Sequence, residues 1–443
     1  MERPPRPSCS SQRGAALLLA VVAVAVLTAL SVDLAYETQV RLRIAGNARD
    51  ELRAEALAKS AVNLSRLVLA FQAQLDQASS LPPALAAAAT GSASPQASLP
   101  HLQLFSLVPV SSALTQALFS DEGAGEKASN VAGAQERDPR VPAASYGDFE
   151  GGFQATIEDE GQKINAQLDS RFTSGVLSAQ VEALLRLTCA SKWDPLFDRS
   201  DSYGQRYSRS DLLVYLRDWV VNDPGASVLN VSFPAGSCSF LVPQKPFETG
   251  FSDKNFPYQH GPDRYFAKGA RLDSVDELSM VAGVSDVFMA AFGKDLTVYL
   301  PIEAPMNVNA DDLPHQLLLA QAMADPAALA QLSDPKFQEA FHKALSNIRM
   351  GGFITITPAQ FAEILQQLKV PLRPDLANIL ARAYTDRAVV FRIRALGVAG
   401  DVTQEAEAVV SYDPRLSSGS ASPAAVAASN RLNLGRLIRW REE

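Results

Sequence analysis

The chain has few of the residues that build reactive centres and disulfide frameworks. Among 443 residues it has 3 cysteines and 4 histidines, which excludes a disulfide-dense scaffold and a histidine-rich metal centre. No HExxH, GxSxG or phosphate-cradling glycine loop occurs. The histidines show no ligand spacing, and we interpret each as a surface or packing residue: His101, His260, His315 and His342. The sequence therefore predicts a protein that is not an enzyme.

Basic residues are too few for a nucleic-acid binder. The chain has 40 Lys and Arg against 48 Asp and Glu, a formal net charge of -8, and therefore repels phosphate. Residues 281–284 can be read as the turn of a DNA-binding helix-hairpin-helix. However, Ser285 and Asp286 follow, where phosphate contact favours basic side chains. We expect a protein-packing turn there and no nucleic acid as a partner.

Charge is absent from one long segment, residues 15–32, which is long enough to cross a bilayer as a helix. Arginines precede this run, whereas Asp33 and Glu37 follow it, so the positive-inside rule predicts a cytoplasmic N-terminus. Everything after Tyr36 is then periplasmic. A cleavable secretory signal is the alternative, but no Pro or Gly interrupts the helical pattern before Gly46. We expect the apolar segment to stay attached.

Beyond the membrane segment, an apolar stripe at alternating spacings of four and three predicts an amphipathic continuation of the same helix: Leu57, Ala61, Leu64, Val68, Phe71 and Leu75. A coiled coil is the alternative, although the stripe covers too few heptads for one. Residues 79–145 are rich in Ala, Ser, Pro and Gly and are interpreted as a long connection.

Strand patterns flank a long helical region in the rest of the chain. Residues 146–157 predict a strand, and three alternating segments near the C-terminus, 388–395, 406–412 and 435–440, predict three more. Between them, amphipathic stretches lie near 176–188, 210–221, 274–292, 314–347 and 358–384. The length of the chain also favours more than one folded part. The predicted class is α+β, a helix on a small antiparallel sheet with a large helical insertion.

Several motifs resemble those of one family. The junction QRGAALLL at 12–19 resembles a type IV prepilin leader, although an ordinary signal anchor explains it equally well. In chain order follow IEDEGQKIN at 157–165, LLVYLRDWV at 212–220, DELSMVAGV at 276–284, MNVN at 306–309 and IRWREE at 438–443. Together these segments are similar to those of the K-type minor pseudopilins of type II secretion. The similarity extends from Gly14 to Glu443, with 79–145 as its main unmatched part.

The resemblance implies a pilin-like fold and a division of the chain. It comprises a leader at 1–14, a transmembrane helix at 15–36, its amphipathic continuation at 37–78 and the connection at 79–145. Sheet segments at 146–165 and 386–443 enclose a helical domain at 166–385. Prepilin peptidase would cut between Gly14 and Ala15. Leu19, the fifth residue after the cut, occupies a position where most pilins carry a glutamate, and its apolar side chain implies a place at the fibre tip.

The resemblance also implies a function and partners. A minor pseudopilin of this type starts pseudopilus assembly in the bacterial inner membrane and sits at the tip during protein export. Its partners would be the I- and J-type minor pseudopilins, the major pseudopilin, prepilin peptidase and exported proteins. Two alternatives stay open: a minor pilin of a type IV pilus, and an inner-membrane-anchored periplasmic enzyme.

Two further predictions concern individual residues. Cys9 lies in the predicted leader, so Cys189 and Cys238 are the two cysteines left in the oxidising periplasm. We predict a disulfide between them, and two separate buried thiols are the alternative. Calcium is the cofactor that the family implies for the helical domain. Candidate carboxylate ligands are Asp194, Asp198, Asp201 and Asp211, with Glu158 and Asp159 as a second group, although the spacing is not that of an EF-hand and solvated acids are the alternative.

Overall fold

The computed structural model describes residues 12–79, 102–113, 151–197, 200, 204–231, 238, 240–259, 264–413 and 434–442. Most of the predicted leader and connection, and residues 146–150 of the first predicted strand, lie outside these described residues. The helices are α1 (Gln12–Ser79), α2 (Leu104–Leu107), α3 (Ser174–Thr188), α4 (Asp194–Phe197), α5 (Arg209–Val220), α6 (Asp286–Phe292), α7 (Leu313–Met323), α8 (Leu329–Leu332), α9 (Pro335–Ile348), α10 (Pro358–Gln367) and α11 (Leu376–Ala383).

The strands are β1 (Val110–Ser111), β2 (Gly152–Asp159), β3 (Ile164–Asn165), β4 (Gly225–Leu229), β5 (Phe247–Asp253), β6 (Leu296–Thr297), β7 (Met306–Asn307), β8 (Tyr384–Thr385), β9 (Val390–Ala399), β10 (Val402–Ser411) and β11 (Arg436–Glu442). Five of them form one antiparallel sheet in the order β1-β2-β9-β10-β11, and the other six form three two-stranded sheets.

Helix α1 is 68 residues long, which corresponds to about 100 Å. Its N-terminal part contains an 18-residue window of mean hydropathy 2.6, none of it buried in the protein, so by length and composition this helix can cross a membrane. Its C-terminal part, from Ala54 to Gln72, packs on β2, β9 and β10. One helix therefore carries both the candidate anchor and the main support of the sheet.

The buried face of α1 differs from the predicted stripe. Leu57 and Ala61 are buried as expected, but Phe71 and Leu75 are largely exposed. The side chains against the sheet are mostly small: Ala54, Ala58, Ala61, Val62 and Ser65. The reason is the close approach of β9, where a Cβ atom at Gly397 would lie 2.0 Å from the Ala54 carbonyl oxygen. Large side chains do not fit beside Gly397, although Leu57 and Leu69 are buried elsewhere on this face. The predicted stripe is therefore confirmed in part, since Leu64 and Val68 also pack against the core, and its C-terminal end lies beside the buried face.

Residues 160–389 form a helical lobe at one end of the sheet. The chain leaves the sheet after Asp159 and returns at Val390, and the adjoining residue Phe391 packs in one core cluster with Leu69 of α1. The opposite end of the sheet lies against Ala54, where Gly397 approaches. Because α1 rises about 1.5 Å per residue, the lobe lies roughly 20 Å farther along α1 than that end, on the side away from the apolar segment.

Three predicted helical stretches are divided in the structure. The stretch at 314–347 becomes α7, α8 and α9, because Pro326 and Pro335 start new helical turns after the capping residues Asp325 and Asp334. The stretch at 358–384 becomes α10 and α11, with two prolines between them. In the stretch at 274–292, Gly283 adopts a φ of 84° and separates a short 3-10 helix from α6.

The predicted fold class is confirmed. A long N-terminal helix packs on a small antiparallel sheet, and a large helical lobe is inserted between β2 and β9. The lobe has its own core, to which the sheet contributes Val390 and Val409.

Candidate functional site

The N-terminal part of α1 is the first candidate site. Gly14 and Ala15, between which cleavage is predicted, lie near the beginning of the helix. Leu19 is 71% exposed, and the apolar side chains that follow it are also exposed along the helix. This surface is not covered by any part of the chain that the structure describes, so it is available to lipid or to other helices.

The second candidate site is the junction between sheet and lobe, where two of the quoted motifs meet. Asp159 ends β2, and its carboxylate accepts hydrogen bonds from the Gly161 N–H and from Asn307 Nδ2, both at 2.7 Å. Gly161 fits tightly here, since its ideal Cβ position lies 3.0 Å from Asp159 Oδ1. The side chain of Asp159 thus joins segment 157–165 to segment 306–309.

The asparagines of the second motif extend this network into the lobe. Asn307 Oδ1 accepts from the Asn309 N–H at 3.0 Å, and Asn309 in turn exchanges two hydrogen bonds with the backbone of Ile356. Both asparagines are buried. Because an unpaired buried amide is costly, these bonds stabilise the pair and hold residues 307–309 against the backbone of Ile356.

Glu160, next to Asp159, is the centre of a buried ionic cluster. Its Oε1 atom accepts from Lys163 Nζ at 2.7 Å and from Arg392 Nε at 2.6 Å, and its Oε2 atom accepts from the Thr297 hydroxyl. Arg392 also donates to Glu407 at 2.8 Å. These contacts tie β9 and β10 of the sheet to β6 of the lobe.

The two adjacent carboxylates have opposite pKa shifts. Burial raises the pKa of Asp159 to about 7, since only neutral donors surround it to offset the loss of water. Burial also acts to raise the pKa of Glu160, but the charges of Lys163 and Arg392 outweigh it and lower the pKa. The Asp159 carboxyl therefore changes its protonation state near neutral pH, whereas Glu160 stays ionised.

Sequence reasoning quoted Glu160 only within a motif and missed Arg392 and Thr297. The strand pattern gives no signal for Arg392, because it places Arg392 with the exposed Arg394 on the face opposite Phe391 and Ile393. Arg392 is buried because Glu160, at the beginning of the lobe, covers this face. Nothing in the sequence around Thr297 indicates its role.

The predicted calcium ligands are not brought together in the described part of the chain. Asp194 pairs with Arg209 at 2.6 Å, and Asp211 completes the capping box of α5 with Ser208. Glu158 pairs with Arg394 at 3.1 Å, and Asp159 has the partners given above. Asp198 and Asp201 lie outside the described residues. Among the described residues there is no group of three metal-ligating side chains, and calcium stays a prediction.

The two cysteines of the predicted pair are joined in the structure. Cys189 follows α3, its Cα atom lies 5.4 Å from that of Cys238, and the side chains form a disulfide. Gly283, in the segment also readable as a DNA-binding turn, packs against Tyr207, where its ideal Cβ position lies 3.2 Å from the tyrosine Cβ. This turn thus packs against protein.

No protein-family model matches the chain, and no curated protein matches it significantly. Among solved structures, it is similar to a chain of the crystal structure of the GspK-GspI-GspJ complex from the enterotoxigenic Escherichia coli type 2 secretion system. The similarity has a TM-score of 0.41 and 13% sequence identity, and it covers 66% of this chain and 80% of that chain.

Proposed function

We propose that the chain is a K-type minor pseudopilin of a type II secretion system. It is anchored in the inner membrane by α1, with its N-terminus cytoplasmic and its sheet and lobe periplasmic. After prepilin peptidase removes residues 1–14, it joins the I- and J-type minor pseudopilins, starts the pseudopilus and stays at its tip. Calcium bound in the lobe belongs to the same proposal.

One observation carries the proposal. A single uninterrupted helix leaves its apolar N-terminal part uncovered and packs its other part on an antiparallel sheet, while the lobe lies at the sheet end away from the apolar part. A fibre subunit needs an apolar helix that is free to pass from lipid to neighbouring helices. A lobe at the far end leaves this helix packing free, but it would block a further subunit stacked beyond the lobe. The arrangement therefore fits a terminal subunit.

The junction supports the family assignment. The IEDEGQKIN and MNVN motifs lie far apart in sequence, yet Asp159 and Asn307 are hydrogen-bonded. Residues of the two motifs that carry the resemblance thus hold the lobe on the sheet. Proteins with such a lobe require these residues for the same contact.

The full-length protein, extracted from membranes of cells that carry its neighbouring genes, provides the test. Mass spectrometry should find a mature N-terminus at Ala15, and other minor pseudopilins should co-purify. Gly14→Leu should block cleavage, because the peptidase site has no room for the side chain, whereas Gly46→Ala should be cleaved normally. A mature N-terminus beyond Val32 would contradict the proposal. Co-purification with subunits of a type IV pilus would replace it with the pilin alternative.

A further inference from the structure

Arg439, in the edge strand β11, connects the sheet to the helical lobe. Its Nη1 atom donates to the Tyr299 hydroxyl oxygen, and its Nη2 atom donates to Asp276 Oδ2 at 3.0 Å. Both acceptors belong to the lobe, and Tyr299 is a buried member of the lobe core. The guanidinium of one sheet residue is therefore bonded to two separate segments of the lobe.

The register of the sheet places a second arginine against the same tyrosine. Arg439 on β11 lies opposite Val409 on β10, and Val409 lies opposite Arg392 on β9. The Arg392 guanidinium lies 5.4 Å from the centre of the Tyr299 ring, and Val409 belongs to the lobe core. Tyr299 therefore contacts side chains of β9 and β11, which are two strands apart.

The two covalent connections between sheet and lobe lie beside each other. The chain leaves β2 after Asp159 and returns to β9 at Val390, and β2 and β9 are neighbouring strands. Two adjacent connections define an axis about which a lobe can turn. Strand β11 lies two strands beyond β9, roughly 10 Å away. A bond at Arg439 therefore opposes this rotation with a longer lever arm than a bond beside the connections.

Apolar packing does not fix the lobe on the β11 side of the sheet. No described residue of β11 is buried. A cleft of about 740 Å³ lies between the sheet and the lobe, with Arg394 of the sheet and Asp295 of the lobe among its lining residues. Closely packed surfaces resist movement past each other, whereas a polar cleft leaves space for it. The restraint on this side is therefore carried by the directional bonds of Arg439.

We infer that Arg439 sets the orientation of the lobe relative to the sheet and α1, with β11 as the strap that holds it. This inference concerns contacts within one chain and goes beyond the proposed function. Arg439 is a positioning residue, because it contributes to neither core. Its loss should let the lobe turn about the connections at 159–160 and 389–390 while the lobe and the sheet stay folded.

Pulsed electron paramagnetic resonance on the detergent-solubilised full-length protein tests the inference. Spin labels on non-natural amino acids at the exposed positions of Thr403 in β10 and Glu339 in α9 report the distance between sheet and lobe, and they leave the disulfide intact. We expect a narrow distance distribution for wild type and one at least about twice as broad for Arg439→Gln. Arg436→Gln, at an exposed position of the same strand, is the matched control and should keep the wild-type distribution.

A variant on the lobe side separates orientation from folding. Asp276→Asn combined with Tyr299→Phe changes both acceptors and leaves β11 unaltered, so it should broaden the distribution as Arg439→Gln does. Both variants should melt close to the wild-type temperature. Wild-type distributions in both would overturn the inference. A broad distribution that appears only together with a large fall in melting temperature would also overturn it, since Arg439 would then hold the fold and not the orientation.

Discussion

Asp159 and Glu160 are adjacent, both buried, and differ in what neutralises them. Asp159 receives hydrogen bonds from two neutral donors, whereas Glu160 receives two cationic ones. A buried charge without an opposite charge is costly, so burial dominates at Asp159 and the cations dominate at Glu160. The pKa of Asp159 is therefore raised and that of Glu160 lowered, and the two residues call for separate tests.

The pH dependence of stability should show the raised pKa of Asp159. Its pKa is about 7 in the folded protein against an ordinary value of 3.8, so the folded state binds this proton more tightly than the unfolded state. Between these values the free energy of unfolding should fall as the pH rises. We expect wild type to gain stability relative to Asp159→Asn when the pH is lowered from 8 to 5, by about 1 to 3 kcal/mol.

Chemical denaturation of the detergent-solubilised protein across this pH range measures the difference. Asp401→Asn, at an exposed carboxylate in the turn between β9 and β10, is the control and should follow the wild-type curve. Parallel curves for wild type and Asp159→Asn would mean that Asp159 is ionised in the folded protein at low pH as well.

Glu160 and Glu158 offer a matched pair of substitutions. Glu160→Gln leaves Lys163 and Arg392, whose side chains are 14% and 10% exposed, without their shared buried carboxylate. Removing one partner of a buried ion pair costs about 3 to 5 kcal/mol. Glu158→Gln removes a carboxylate charge that is 39% exposed and that pairs with Arg394 at 3.1 Å and with Lys163 at 3.4 Å. It leaves Lys163 its bond to Glu160 and should cost less than about 1 kcal/mol. Equal losses in thermal unfolding would show that the cluster does not hold the lobe.

The sequence indicated which junction segments matter but not how they meet. IEDEGQKIN and MNVN were singled out by resemblance alone. The bond between Asp159 and Asn307 connects residues 148 positions apart, and no local spacing encodes such a contact. Asp159 was predicted as a candidate calcium ligand, and its partners in the structure are a backbone amide and an asparagine.

At the scale of elements, the long helix and the closing strands were predictable because their patterns are long and regular. The closest part of the helix-to-sheet contact was not predictable, because small residues of α1 meet Gly397 there. Hydrophobic periodicity weights leucine and phenylalanine, and therefore favoured the flank with Phe71 over the face with Ala58 and Ser65. Two helices of the lobe, predicted at 176–188 and 210–221, agree with α3 and α5. Three other predicted stretches were too long, because hydrophobic periodicity continues across the prolines and the glycine that divide them.

Gly397 should be essential for packing α1 on the sheet. A Cβ atom there would lie 2.0 Å from the Ala54 carbonyl oxygen and 2.6 Å from the Ala58 nitrogen, both backbone atoms of α1. Gly397→Ala should therefore separate α1 from β9 and destabilise the protein by several kcal/mol. Gly46→Ala adds the same methyl group to an uncrowded position of α1 and should stabilise it by up to about 1 kcal/mol. Thermal unfolding of both variants in detergent checks this, and similar melting temperatures would refute the close contact.

At the scale of the whole molecule, the two ends of α1 make different demands. In the proposed function the apolar end packs among other helices, whereas the other end carries a lobe of more than two hundred residues beside the sheet. A lobe of that size repeated at every level of a fibre would collide with its neighbours. At the tip it meets no subunit above it.

Under the proposed function, Leu19 is a second argument for a position at the fibre tip. Resemblance to pilins implies that a glutamate at this position pairs with the N-terminal ammonium of the subunit ahead. A carboxylate inside the bilayer costs a few kcal/mol, so it is kept only where that partner exists. A terminal subunit has no subunit ahead, and leucine at position 19 avoids the cost.

The location is testable on fibres from an overproducing strain. Gold-labelled antibody against the helical lobe should mark one end of each fibre, because the lobe blocks further addition beyond it. Leu19→Glu is the matched variant. At the tip its carboxylate has no partner charge, so this variant should insert into the membrane in smaller amounts. The label should still mark the fibre end. Regular labelling along the shaft, or a Leu19→Glu protein that moves into the shaft without loss of insertion, would place the subunit in the fibre body and make the lobe a lateral rather than a terminal structure.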